Sequence, residues 1–135
     1  MNPKTVELQA RTRRFAASII TFCEQLPQTA ACQRMVPQLI DSAGATDSNY
    51  RAACRGRSKA EFIAKLGVAC EEADESKGWL LLLVESKQVE GPTVEALIQE
   101  ADELTSIFAK SRITAEARKQ EQDRLNKQAS RTRSR

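Results

Sequence analysis

The chain contains no histidine. That absence removes imidazole general-base catalysis, Ser-His and Cys-His nucleophile pairs, and every zinc site with a histidine ligand. It also removes the Glu-x-x-His pairs on which di-metal centres in helical bundles depend. Aromatic side chains make up only 4% of the 135 residues, with one Trp and one Tyr. Sequence-specific readout of a single strand by base stacking is therefore not expected. Glycine and proline are few, at five and four, so turns are few. The longest apolar run, Trp79 to Val84, is much too short to span a bilayer. The N-terminus lacks a charged-then-apolar signal pattern, and the reading is of a cytoplasmic protein. Neither G-x-x-x-x-G-K-[ST] nor G-x-G-x-x-G occurs, and there is no nucleophile elbow. The expectation is a protein that is not an enzyme and carries no cofactor.

Four cysteines are present, Cys23, Cys32, Cys54 and Cys70, and none forms a C-x-x-C pair. In a reducing compartment they read as buried small hydrophobes. A disulfide, or a metal site built from all four thiolates, stays open as the alternative. Otherwise no metal is expected.

What the chain does have is helical composition with a regular apolar rhythm. Leu8, Thr12, Phe15, Ile19, Phe22 and Leu26 are spaced by alternating steps of four and three. The same alternation runs through Cys32, Val36, Leu39, Ala43, Thr46, Tyr50 and Ala53, then through Phe62, Leu66, Ala69, Ala73, Ser76, Leu80 and Leu83. A fourth seam is Val94, Leu97, Ala101, Leu104 and Phe108. Such spacing averages 3.5 residues and marks helices that pack nearly parallel or antiparallel.

Punctuation fits the rhythm. Pro27 stops the first helix, Thr29 can cap the second, and Gly56 sits where a helix end favours a left-handed residue. Ser58 and Glu61 form a capping box before Phe62. Gly91 and Pro92 separate the third and fourth helices. The boundaries predicted are residues 4–26, 30–56, 59–88 and 93–113. Short connections force neighbours to run antiparallel, so the fold class is all-α, an up-down-up-down four-helix bundle over residues 1–113. Pro37 predicts a kink or a late start in the second helix, and residues 41–49 are its least helical part by propensity. Residues 114–128 read as a basic extension of the fourth helix, and residues 129–135 as a disordered basic tail.

The net charge of +3 is unevenly placed. Residues 1–65 hold 10 basic and 5 acidic side chains, residues 66–113 hold 4 and 10, and residues 114–135 hold 7 and 3. Glu71, Glu72, Asp74 and Glu75 point away from the seam of Ala69, Ala73 and Ser76, and so read as a charged surface rather than a metal site. Arg51 and Arg55 share a helix face, and with Arg57 they offer either a solvated surface or a bidentate surface for phosphate. Trp79 to Val84 is apolar around the whole helix, more than a single bundle stripe can bury. A heterologous self-association follows, in which a positive face meets the acidic third helix.

The stretch Ser48-Asn49-Tyr50-Arg51 through Arg55-Gly56-Arg57-Ser58-Lys59-Ala60-Glu61-Phe62, followed by Glu71-Glu72-Ala73-Asp74-Glu75 and Trp79, resembles a family signature. It is similar to the 23S rRNA intervening-sequence protein family, the bacterial four helix bundle proteins, over roughly residues 12–113. The resemblance implies an up-down bundle assembling as a homopentameric ring. A related group includes an accessory protein of retroelements that binds nucleic acid. On this basis Asn49, Tyr50, Arg51, Glu72, Asp74, Glu75 and Trp79 are candidates for the subunit contact. Asp41 and Asp47 depart from the family pattern and lower the basic potential of the second helix. The functional expectation is an oligomer that binds RNA through Arg51, Arg55, Arg57 and the tail residues Arg118, Lys119, Arg124, Lys127, Arg131, Arg133 and Arg135. The alternative is a protein-interaction scaffold with no nucleic-acid role.

Overall fold

The computed structural model describes residues 1–134. Within them lie four helices and no strand: α1 (Pro3–Glu24), α2 (Ala30–Cys54), α3 (Lys59–Glu85) and α4 (Pro92–Arg133). Each helix contacts its neighbours in sequence, and α4 closes back onto α1. The backbones of the diagonal pairs do not approach closely, which is the signature of an antiparallel four-helix bundle. The α1–α4 seam is the sparsest of the four.

The seams lie inside as the rhythm requires. Every seam residue named above is buried except Leu8, Val36 and Phe62, which are half-buried at the ends or flanks. Phe15, Ile19, Leu39, Leu66, Leu80, Leu83, Leu104 and Phe108 carry the bulk of the apolar volume removed from water. Tyr50 stacks on Phe108 with ring centroids 5.3 Å apart.

The helix ends follow from local chemistry. Thr29 Oγ1 accepts from the Cys32 amide at 3.1 Å, the expected cap of α2. Ser58 Oγ accepts from the Glu61 amide at 3.1 Å. The reciprocal bond is shifted by one residue, because Glu61 accepts from the amide of Arg57 rather than that of Ser58. Helix α3 ends at Glu85, three residues before the expected limit. Lys87 adopts φ 61°, and the amides of Lys87 and Gln88 donate back to Val84 and Leu83. That is a Schellman stop, reached here without glycine. Gln88 then accepts from Thr29 Oγ1 at 2.7 Å, tying the end of α3 to the start of α2.

Four expectations need correction. Gly56 is not left-handed: Gly91 is the glycine with positive φ. Gly56 is needed for close approach instead, since a Cβ there would lie 3.0 Å from the Ala53 carbonyl and 3.2 Å from the Phe62 nitrogen. Helix α2 starts at Ala30 with Pro37 inside it, so of the kink or late start expected there the late start does not occur. Residues 41–49 are helical throughout because packing of the buried Ser42, Ala43, Thr46 and Asp47 overrides their propensity. Ser42, Thr46 and Asn49 donate to the carbonyls of Leu39, Ser42 and Ala45. Ser42 and Ser76 also pair across α2 and α3 at 2.8 Å.

The last correction concerns the tail. Residues 129–133 are helical, and α4 runs unbroken through residue 113 to Arg133, a length of about 63 Å at 1.5 Å per residue. Neither Gly nor Pro occurs after Pro92. A helix already nucleated in the bundle extends without paying the nucleation cost again. Arg131 and Arg133 in the last turn also suit the negative end of the helix dipole. From Gln120 to Ser134 every residue is exposed, so this end of α4 is an arm with no tertiary support. Arg135 lies outside the described residues.

Candidate nucleic-acid interface

The cations of the bundle fall into two groups, those with carboxylate partners and those without. Arg11 on α1 grips α4: it donates to Glu100 through Nε at 2.8 Å and Nη2 at 2.6 Å, and Nη2 also reaches Glu103 at 3.1 Å. The hydrogen bonds to Glu100 hold its pKa above the ordinary guanidinium value. Arg13 and Arg51 share the carboxylate of Asp47, at 3.4 and 3.3 Å. That carboxylate is nearly buried and also accepts from Thr12 Oγ1 at 3.3 Å. Lys77 pairs with Asp102 at 2.8 Å, linking α3 to α4. Apart from Arg51, which pairs within α2, these charges are spent on helix-to-helix contacts.

This placement revises the expected phosphate surface. Arg51 is partly neutralised by Asp47 and is not a free phosphate fork; its Nε is buried without a partner. Arg55 and Arg57 are exposed and have no ion pair among the described residues. The family departure at Asp47 thus has a structural consequence. It fastens α1 to α2 and consumes the positive charge of that face.

Five of the unpaired cations gather at one end of the molecule. The start of α1, the α2–α3 turn and the middle of α4 enclose a pocket of about 1010 Å³. Lys4, Arg57, Lys59, Lys110 and Arg118 line it, and no carboxylate does. Its apolar side is Tyr50, Ala53, Cys54, Phe62 and Ala115. None of the five cations has an ion pair among the described residues. Sequence reasoning found Arg57, Lys59 and Arg118 but missed Lys4 and Lys110. These two come from separate elements, so no motif or spacing connects them.

Beyond the pocket the arm shows a different arrangement. Glu116, Asp123 and Glu121 are the carboxylates after residue 113, and each pairs with a cation within a helical turn: Arg112, Lys119 and Arg124. Lys119 and Arg124, both expected as nucleic-acid contacts, are therefore occupied locally by exposed, weak pairs. Arg118, Lys127, Arg131 and Arg133 have no carboxylate partner among the described residues. At 100° per residue, Lys127 and Arg131 share a face with Arg124.

The expected subunit-contact residues are divided. Asp74 and Glu75 are exposed, while Asn49, Glu72 and Trp79 are half-buried. Glu72 has its carboxyl pKa raised by burial, with Glu75, Glu71 and Asp41 adding repulsion. Tyr50 is corrected: its ring is 6% exposed and stacked inside its own chain, leaving little surface for a neighbour. Trp79 Nε1 is buried with no hydrogen-bond partner. Of the apolar run, Leu80 and Leu83 are core, and the surplus is Leu81 and Leu82 at 44% and 47% exposure.

The cysteines are all free. Burial pushes the Cys23 thiol up to about 11, which makes it a packing residue rather than a nucleophile. Among the described residues no group of acids and thiols is arranged to hold a metal. No helix among them is long and apolar enough to cross a membrane.

Fold and charge thus define a four-helix bundle with a basic end and a projecting basic helix. The model of the 23S rRNA-intervening sequence protein family matches residues 4–110, and the chain belongs to that family. A crystal structure from Bacteroides thetaiotaomicron is similar at 25% identity and a TM-score of 0.72, covering 81% of this chain and 97% of the other. That protein is described as being of unknown function, from the S23 ribosomal protein family. Among curated proteins no sequence matches the chain significantly. The family match ends at residue 110, so most of the arm lies outside it.

Proposed function

We propose that this protein is a non-enzymatic, oligomeric helical bundle that binds RNA through the free cations of its basic end and arm. The observation that carries this reading is the charge pairing of the arm. Its carboxylates are consumed by Arg112, Lys119 and Arg124, and Arg118, Lys127, Arg131 and Arg133 are left over. A straight helix with unpaired cations on a solvent-exposed surface suits a polyanion and gives no base readout. The link between the family and 23S rRNA supports RNA as the polyanion. The test is fluorescence anisotropy of a labelled single-stranded RNA across a salt series. A steep fall in log affinity with log salt is expected; absence of binding at low salt removes the reading.

Assembly is part of the same proposal. The outer face of α3 carries Glu71, Glu75, Leu81 and Leu82 in exposed positions, and it suits contact with a basic face of a second copy in a homopentameric ring. Light scattering after size exclusion tests it, and a monomer at micromolar concentration defeats it. A scaffold without RNA is the second reading, favoured by the unpartnered Trp79 Nε1 beside this apolar surplus. An oligomer that ignores RNA at low salt selects it.

A further inference from the structure

The basic pocket at the end of the bundle differs from the arm in shape. It is concave and bounded by three elements, whereas the arm is a convex rod. A polyanion can track along a rod, whereas an open concavity bordered by three elements also offers a place for a chain end or a small molecule. We propose that this pocket binds a nucleotide phosphomonoester, as found at the end of an RNA strand. The inference rests on the RNA reading above and names what that strand presents.

Three observations converge on it. The lining contains Lys4, Arg57, Lys59, Lys110 and Arg118 and no carboxylate. Elsewhere in the bundle, Arg11, Arg13, Arg51 and Lys77 have each found an acid. A cluster of like charges is self-repelling, and a bound anion removes that cost. A phosphomonoester carries about −1.5 to −2 charges near neutral pH, which suits five cations better than the single charge of a backbone diester.

The second observation is the start of α3, which borders the same pocket. Ser58 and Glu61 take the amides of Glu61 and Arg57, and the Ser58 carbonyl takes that of Phe62. The cap thus leaves the amide of Lys59, a lining residue at the positive end of the helix dipole, for an anion. The third is the apolar side, where the half-buried Cys54, Phe62 and Ala115 present the accessible surface. It gives the pocket a place for a nucleoside as well as for its phosphate.

The experiment uses the full chain and RNA of about ten nucleotides, within the site sizes usual for single-strand binders. One RNA carries a 5′-phosphate, a second ends in a 5′-hydroxyl, and a 5′-mononucleotide serves as competitor. The phosphorylated strand is expected to bind about tenfold more tightly, the difference that one good charge-assisted contact set supplies. In a K59Q/K110Q double variant that ratio falls to near one, and in a K127Q/R131Q variant of the arm it persists while both affinities drop. Neither pair of side chains is in the core, so both variants are expected to fold, which circular dichroism checks. Competition by the mononucleotide at matching affinity assigns the phosphate to free nucleotide rather than to a strand end. Equal affinity of the two strands overturns the inference and leaves RNA binding intact. Binding of neither strand removes the RNA reading and this inference together.

Discussion

The two halves of α4 are one continuous helix held by different means. From Pro92 to Ile113 it is a bundle helix, with Val94, Leu97, Ala101, Leu104 and Phe108 buried. From Gln120 to Ser134 no residue is even half-buried. That half depends on propensity and on short pairs such as Lys119 with Asp123 and Arg124 with Glu121. Packing fixes the first half and local chemistry the second. The division extends to charge. In the bundle, Arg11, Arg13 and Lys77 join acids on neighbouring helices; in the arm, acids are matched locally and the surplus is positive.

The largest effect that sharpens this contrast is on the core. Phe108→Ala should cost about 3–5 kcal/mol, read from the denaturation midpoint, whereas Leu125→Ala in the arm should stay within about 0.5 kcal/mol. A comparable loss at Leu125 would mean that the arm is packed against something. Next comes Asp47→Ala, which strips Thr12, Arg13 and Arg51 of their shared acceptor. The expected cost is about 1–3 kcal/mol, accompanied by tighter RNA binding at low salt because two arginines are released. Unchanged RNA affinity would show that this face plays no part.

A smaller effect is expected at the α1–α4 seam. Arg11→Ala removes the bidentate grip on Glu100 and should cost on the order of 1 kcal/mol, since the pair is only part-buried. The smallest is at Glu72. Burial and its acidic neighbours raise its carboxyl pKa in the folded chain, so the folded state binds a proton more readily than the unfolded state. Ionised Glu72 therefore costs stability at neutral pH, and the cost fades as pH falls through the raised pKa. Glu72→Gln should raise the melting temperature slightly at pH 7 and leave it unchanged in acid below the ordinary carboxylate range. A melting temperature lowered at pH 7 would place Glu72 in a favourable contact.

Much of the bundle was legible from residue types alone. Steps of three and four placed Phe15, Leu39, Leu66 and Leu104 in the core, and Thr29 and Ser58 announced their helices. What escaped were features that depend on distant partners. Lys87 adopts a left-handed turn that its residue type does not advertise. Tyr50 belongs both to the seam spacing of α2 and to the family motif, and its stacking on Phe108 puts it in the core. Asp47 read as a diluting charge, and it is a clasp between α1 and α2. The basic pocket draws Lys4, Lys59 and Lys110 from three elements, and no local pattern joins them. The helical arm was underestimated because it lacks an apolar face, although the absence of Gly and Pro after Pro92 already allowed it.

The central claim is that the free positive charge of the arm, and not the paired charge of the bundle, faces nucleic acid. The direct measurement is the slope of log affinity against log salt for one single-stranded RNA, taken with the full chain and with its K127Q/R131Q/R133Q variant. Three free cations contribute a slope of about 2 on a single strand. The account predicts a slope shallower by about that amount in the variant, with an unchanged denaturation midpoint. An identical slope in the two proteins would contradict it.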